Sequence, residues 1–279
     1  MQKPLSELLE FGILNIDKPS GPTSFDVVAK VGQILGLRKS SHFGTLDPKV
    51  TGVLPVALNR ACKLTGFFIS HDKTYIGIMR IHEDKELKEI QKIIDEKFLG
   101  KIKQTPPVRS RVKRQERERE IYEFELLEKG GNDFLFIVKC QGGTYIRKLI
   151  DDLGKEMGIG AHMLELRRIK AGIFSEEDEN FVNLYDLEKA SNSEEELRKI
   201  IIPGEEAIKK IMPIIQVKKE AVERLYTGKI FRKEDLAKQI KISGEIFAAF
   251  EGESFIGIYK LSKEKEIFAK PEFVMQPVR

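Results

Sequence analysis

Residues His42 to Leu58 read HFGTLDPKVTGVLPVAL. Gly44, the Asp47-Pro48 pair and the Thr51-Gly52 pair mark an irregular loop, and the run that follows is apolar enough to be a buried strand. A polar loop that runs straight into a core is a place where one side chain can be held rigidly and still face water. Asp47 is the acid in that loop. Read alone, an Asp-Pro pair only makes a turn, so the case for chemistry rests on what surrounds it.

Upstream, FGILNID (Phe11 to Asp17) is a short apolar strand ended by the turn KPSGP, and Thr23 with Asp26 forms a capping box for a helix. Val27, Val28, Val31, Ile34 and Leu35 recur at helical spacing until Gly36. Downstream, KTYIGIMRIH (Lys73 to His82) reads as a strand, and Leu87, Ile90, Ile93, Ile94 and Phe98 as one face of a helix. YEFELLEKGGNDFLFIVKC (Tyr122 to Cys140) is a hairpin about a Gly-Gly-Asn-Asp turn. Thr144 is placed to cap a helix whose apolar face is Ile146, Leu149, Ile150, Leu153 and Met157, with Gly158 to end it. MLELRRIKAGIF (Met163 to Phe174) is a further strand. This alternation predicts an α+β fold, a mixed, largely antiparallel central sheet flanked by helices, over residues 1–204. Residues 205–279 read as short strands with one small helix, a β-rich module expected to close into a small barrel.

The chain has 279 residues, 41% hydrophobic and 33% charged, with two cysteines and no tryptophan. That composition excludes disordered, collagen-like and disulfide-stapled classes. No run approaches the ~20 apolar residues that span a bilayer, and the N-terminus lacks the order of a signal peptide. A cytoplasmic protein with no membrane partner is expected. Cys62, Cys140, His42, His71, His82 and His162 show no metal-ligand spacing, and Walker, GxGxxG, GxSxG and HExxH patterns are absent. No metal and no cofactor are expected.

The formal net charge of +4 is concentrated. Arg109 to Arg119, RSRVKRQERER, carries six basic and two acidic residues, an excess equal to that of the whole chain. Ala171 to Glu206 carries eleven acidic against three basic residues and reads as a solvated connector and outer helix. A basic run by itself is as consistent with a solvated face as with a nucleic-acid surface. Arg147 sits in the first turn of its predicted helix, where the dipole disfavours a cation by a few tenths of a kcal/mol, so a carboxylate or phosphate partner is expected beside it.

HFGTLDPKVTGVLPVAL resembles the catalytic motif of the TruB/dyskerin family of RNA pseudouridine synthases. Three other strings fall in that family's order: GILNIDKPSGPTS, KTYIGIMRIH, and GTYIRKLIDDLG with GAHMLELRRIKAG, together spanning Gly12 to Gly172. The resemblance implies the pseudouridine synthase fold and a C-terminal PUA-like RNA-binding module, part of which, in the archaeal branch, is built from N-terminal residues. It implies roles by position. Asp47 aligns with the essential aspartate, which attacks the base, attacks C1′ or removes the 2′ proton. Tyr75 aligns with the tyrosine that stacks on the target base, and Arg147 with the arginine that pairs with the aspartate. His42 aligns with a histidine that helps open the RNA, and Lys18 and Pro19 with a Lys-Pro pair that supports the loop; these three are grouped with the RNA-binding residues. Arg109, Arg111, Lys113, Arg114, Arg167 and Arg168 are expected to contact phosphates.

One feature departs from the stand-alone bacterial tRNA enzymes. They carry an inserted thumb loop, whereas here PPVRSRVKRQERERE passes directly to the strand IYEFELLE. That points to the archaeal, dyskerin-like branch, whose members act in box H/ACA particles: a guide RNA pairs with the target rRNA, and small core proteins position it. Phe43 also stands where members commonly have a small residue. Three readings stay open: guided rRNA modification, modification of the tRNA T-loop without a guide, and a non-catalytic RNA-binding scaffold, against which the set Asp47, Tyr75 and Arg147 argues.

Overall fold

The computed structural model describes residues 3–105, 115–238, 244–264 and 267–276. The chain divides into two compact units, Leu9–Ile201 and a second built from Met1–Leu8 with Ile202–Arg279. The first eight residues therefore belong with the C-terminal unit, whereas the sequence reading grouped them with the larger domain.

Within Leu9–Ile201 the strands are β1 (Gly12–Lys18), β2 (Ser40–His42), β3 (Thr51–Leu58), β4 (Lys73–Ile81), β5 (Gly100–Gln104), β6 (Arg117–Gly130), β7 (Asp133–Cys140), β8 (Ala161–Ala171), β9 (Phe174–Ser175) and β10 (Phe181–Asn183). Hydrogen bonding follows the path β10-β1-β3-β8-β4-β7-β6-β5, with β2 on β3 and β9 on β8. The β10–β1 and β3–β8 pairs are parallel and the rest of that path is antiparallel. This is the mixed, mainly antiparallel sheet expected. Helix α1 (Leu5–Glu10) spans the boundary between the units. It is followed by α2 (Ser24–Ile34), α3 (Thr65–Phe68), α4 (Leu87–Lys97), α5 (Ile146–Glu156), α6 (Leu184–Ala190) and α7 (Glu194–Ile200).

Local signals explain most of these elements. The Thr23 hydroxyl accepts the Asp26 amide while the Asp26 carboxylate accepts the Thr23 amide, which completes the capping box that starts α2. β1 is buried along nearly its whole length; its apolar residues Ile13, Leu14 and Ile16 flank a buried Asn15, whose side-chain amide donates to the Ser175 carbonyl at 2.8 Å. β4 buries every second residue from Lys73 to Ile81 and so presents one face to the core. Phe43 fills a buried aromatic cluster: its ring stacks on Phe68 at 4.7 Å and lies 6.1 Å from Phe174. A small residue there would leave a void.

Through β11 (Ile201–Pro203) the chain enters the C-terminal unit, which holds α8 (Gly204–Lys209), β12 (Ile214–Gln216), α9 (Val222–Tyr226), β13 (Ile246–Glu251), β14 (Ser254–Leu261) and β15 (Ala269–Val274). Phe231 packs edge-on against Phe247 and Tyr259 at 5.3 and 5.2 Å, with Ile215, Val217 and Leu225 around them. Lys3, from the first eight residues, pairs with the buried carboxylate of Glu205. The strands form an open sheet, β12-β13-β14-β15, and not the closed barrel expected. Among the described residues β12 and β15 do not pair with each other. Instead Phe231 bridges to Ala269 and Leu236 to Val217, so a segment too short to make a strand touches both edges.

Gly154, inside α5, lets that helix approach β8: a Cβ there would stand 2.1 Å from the Ala161 amide nitrogen and 2.6 Å from the Gly160 carbonyl carbon. On an exposed helix Gly→Ala adds up to ~1 kcal/mol of stability. Here Gly154→Ala is expected to destabilise by about 1–3 kcal/mol, as overpacking does, because the obstacle is backbone. Thermal unfolding checks the sign; a higher midpoint would show that α5 stands off the sheet.

Candidate active site

The loop that carries Asp47 is tied down on both sides. Ser24, buried at the start of α2, donates its hydroxyl to the Leu46 carbonyl at 3.0 Å and accepts the Leu46 amide at 2.8 Å. Leu46 and Val50 are buried, and the Val50 amide closes a turn onto the Asp47 carbonyl at 3.0 Å. From beneath, Lys18 is 0% exposed, and its ammonium donates to the carbonyls of Pro19, Pro48 and Val50 at 2.8, 2.9 and 2.9 Å. Three carbonyls match the three hydrogens of an ammonium. Burial pulls the Lys18 pKa down, and the Asp47 charge works against that shift. Lys18 thus supports the loop from inside and does not face RNA, a correction to its grouping with the RNA-binding residues. Pro19 is exposed.

Asp47 rises from this scaffold with its side chain 48% exposed, and Arg147 Nη2 meets its Oδ2 at 3.0 Å, the arginine side chain being 57% exposed. The partner demanded by a cation in the first turn of a helix is therefore Asp47. An ion pair this open contributes at most ~1 kcal/mol to stability, so its consequence is orientation. The start of α5 is held by a residue that sequence reasoning missed. Gln104 is buried; its side-chain oxygen accepts the Tyr145 amide at 3.0 Å and its side-chain amide donates to the Tyr145 carbonyl at 3.3 Å. Thr144, expected as the cap, instead donates to the Gln141 carbonyl at 2.7 Å, and α5 begins after Tyr145 without a side-chain cap.

Tyr75 on β4 is 8% exposed and lies across from Arg168 on β8 in the strand register. Burial pushes the phenol above its ordinary pKa, the Arg168 charge pulls it back, and the Asp47 charge adds to the rise. Arg168 is 1% exposed; its Nε donates to the Val53 carbonyl at 2.7 Å and its Nη2 to the Gly44 carbonyl at 3.0 Å. It cannot reach a surface phosphate, which corrects the expectation for it. Arg167 is turned to the other face of β8, where it grips Asp17 through two nitrogens at 3.0 and 3.1 Å and Glu176 at 2.7 Å. Two carboxylates already bind its guanidinium, while its side chain stays 34% exposed. Neighbouring strand residues face opposite ways, so the two arginines were never one basic patch.

His42, on β2, is partly buried, with its Nδ1 enclosed and without a hydrogen-bond partner among the described residues. Burial first and the Arg168 charge second lower its pKa. Lys73, also missed, is buried at the start of β4, where its ammonium donates to the carbonyls of Ile69 and His71. Burial, then Arg168, push its pKa down to about 8. Arg109, Arg111, Lys113 and Arg114, with the expected absence of a thumb loop, lie outside the described residues. The arrangement is a half-exposed carboxylate oriented by an arginine, set beside a nearly closed tyrosine and underlain by buried cations.

Residues 32–146 match the TruB family pseudouridylate synthase N-terminal domain, and residues 147–209 the tRNA pseudouridylate synthase B C-terminal domain. A probable tRNA pseudouridine synthase B of Methanocaldococcus jannaschii is 41% identical over 274 residues, covering 95% of this chain and 81% of that protein. Its counterpart in Methanococcus aeolicus is 50% identical over 230 residues, 81% and 69% of the respective chains. Among solved structures, the chain is 38% identical to one in a Cbf5-Nop10-Gar1 complex, with a TM-score of 0.87 over 98% of this chain and 88% of that one. It is 37% identical, with a TM-score of 0.85 over 99% and 88%, to a chain of an H/ACA RNP bound to a substrate RNA containing 2′-deoxyuridine. Sequence motifs, sheet order and these relatives agree: the chain belongs to the TruB family of pseudouridine synthases, isomerases that act on RNA.

Proposed function

We propose that this protein is the catalytic subunit of a box H/ACA particle and isomerises rRNA uridines selected by a guide RNA, with Asp47, Tyr75 and Arg147 as its catalytic residues. The observation that carries the site is the 3.0 Å pair between Arg147 and Asp47, held half-open by a loop whose every anchor is buried. The guided reading is supported by the two assemblies named above, which contain Nop10 and Gar1 or a substrate RNA and resemble the chain over nearly its whole length. Small proteins of that kind are the proposed partners, and the C-terminal unit is the proposed PUA-like RNA-binding module.

The chemistry follows from the reaction. A uridine inside folded RNA must be flipped out, at a cost of a few kcal/mol, before the loop reaches it. Breaking the N1–C1′ bond leaves its electron pair on the uracil; the ring turns, C5 bonds to C1′, C5 loses its proton and N1 gains one. Atoms and electrons balance without an outside oxidant or reductant. Asp47 acts at the ribose or the base, Arg147 keeps its carboxylate aimed, and Tyr75 borders the turning ring. A second reading, T-loop modification of tRNA without a guide, is favoured by the name shared by the curated relatives.

Asp47→Asn is expected to reduce turnover by at least ~1,000-fold, within the range of a lost acid–base or nucleophilic group, with RNA affinity unchanged. Arg147→Met is expected to slow turnover ~100-fold, the scale of a lost orienting or electrostatic group. Tritium release from C5-labelled uridine measures both, and a variant with lost binding but normal turnover would sink the assignment. The same assay separates the substrates. Release from a T-loop RNA by the protein alone supports the second reading; release only when an H/ACA guide RNA and the small proteins are added supports the first.

A further inference from the structure

We propose that Arg119, with Arg117 beside it, holds a backbone phosphate of the target RNA next to the flipped uridine, on the face of β6 that looks toward the start of α5. The proposal rests on the active site argued above for its placement and adds a binding site to it.

The ribbon of β5 and β6 divides its charges by face. Residues directly opposite each other in the register share a face, and such pairs are Gln104 with Arg117 and Ile102 with Arg119. Lys101, Lys103 and Glu118 alternate with these and lie on the other side. On that other side the cations are matched: Lys101 meets Glu118 at 2.9 Å, and Lys103 meets Glu116 at 3.4 Å. On the first face they are not. Among the described residues neither Arg117 nor Arg119 forms an ion pair.

The unmatched face is built, and it leads to the catalytic groups. Gln104 reaches from it to the backbone of Tyr145 at 3.0 and 3.3 Å. Arg119 is partly buried, and its guanidinium lies over Gly143, where a Cβ would stand 3.3 Å from Nη2 and 3.4 Å from Nε. Gly143 is four residues before Arg147. The Arg119 Nη1 donates to the Glu118 carbonyl at 2.7 Å, a bond within its own strand, while Nε is enclosed and has no acceptor among the described residues. An enclosed guanidinium donor without an acceptor weakens a fold, and native structures rarely keep one without a use.

The substrate supplies the missing anion. A flipped nucleotide stays tied to its strand, so the phosphates on either side of it are drawn up to Asp47, a carboxylate that repels them. Other cations of the site are already engaged: Arg147 by Asp47, Lys18 and Arg168 by carbonyls, and Arg167 by Asp17 and Glu176. Arg119 keeps hydrogens to donate, and a planar guanidinium fork suits two oxygens of one phosphate. An acidic protein chain would match the charge as well. The place, four residues from Arg147 in an enzyme that acts on RNA, favours the strand that carries the uridine.

The test measures the Kd of the target RNA as a function of salt, and the single-turnover rate at saturating RNA, using the RNA and partners that support wild-type turnover. Arg119→Met is expected to raise Kd about tenfold, the scale of one lost charged hydrogen bond. The slope of log K against log salt should become shallower by about 0.7 to 0.9, the share of one phosphate, and the saturated rate should stay within about threefold of wild type. Arg119→Lys retains the charge and is expected to retain most of the slope. A neutral methylphosphonate, moved through the linkages that flank the target uridine, locates the contact. At one linkage it should weaken binding to the wild type about tenfold and to Arg119→Met no more than about twofold, because the partner is already gone. An unchanged salt slope for Arg119→Met, or equal losses for both proteins at every linkage, would overturn the proposal. Normal RNA affinity with lost affinity for a protein partner would overturn it too, and would make an acidic chain the ligand. If Arg119→Met does not fold, Arg119→Gln, neutral but with a donor of its own, takes its place in both measurements. Asp47→Asn is the control for the active site: it should bind RNA with the wild-type slope and not turn over. Turnover by that variant refutes the reading of the active site, whatever the slope shows for Arg119.

Discussion

The buried ammonium of Lys18 holds the active-site loop in place. A carboxylate on an irregular loop would ordinarily sample many positions, because such a loop has no ladder of backbone bonds to fix it. Here three of its surrounding carbonyls converge on one lysine from the last position of β1. Withdrawing an ammonium from water is costly unless every hydrogen finds an acceptor. This one finds three, and in doing so it converts the end of a core strand into a pedestal for Asp47.

The remaining anchors have the same character. Ser24 fixes Leu46 from the start of α2, Gln104 fixes Tyr145 and with it the first turn of α5, and Arg168 ties Gly44 to Val53. All four are polar side chains buried with their bonds directed at backbone. Polar groups in that situation specify one geometry, since any displacement leaves a donor unsatisfied in a low-dielectric interior. The groups left open to water, Asp47 and Arg147, contribute little to stability. The site thus divides into a rigid polar underside and an accessible ion pair.

Legibility in the sequence follows the range of the interaction. The capping box of α2, the hairpin of β6 and β7 and the helical faces of α4 and α5 depend on residues a few positions apart, and they appear where the local pattern puts them. The Asp47–Arg147 pair was approachable as well, because a first-turn arginine calls for an anion. The failures lie elsewhere. Arg167 and Arg168 look identical as letters. Period-two alternation says they face opposite sides, but not which one enters the core. In the C-terminal sheet β12 and β15 do not pair with each other among the described residues, and the single bridges found instead, Phe231 to Ala269 and Val217 to Leu236, are recorded in no periodicity.

By itself, then, the sequence determined the elements, the family motifs and the loop that carries Asp47, because these rest on local backbone preferences and on spacing along the chain. Only the tertiary structure decided what surrounds that aspartate. The order β3-β8-β4 places β8 between the loop and the tyrosine strand, and this turns one of two adjacent arginines onto the carbonyls of Val53 and Gly44 while the other closes on Asp17 and Glu176. Strand order is set by which apolar faces bury one another across a hundred or so residues of chain, and nothing in the neighbourhood of either arginine carries that information.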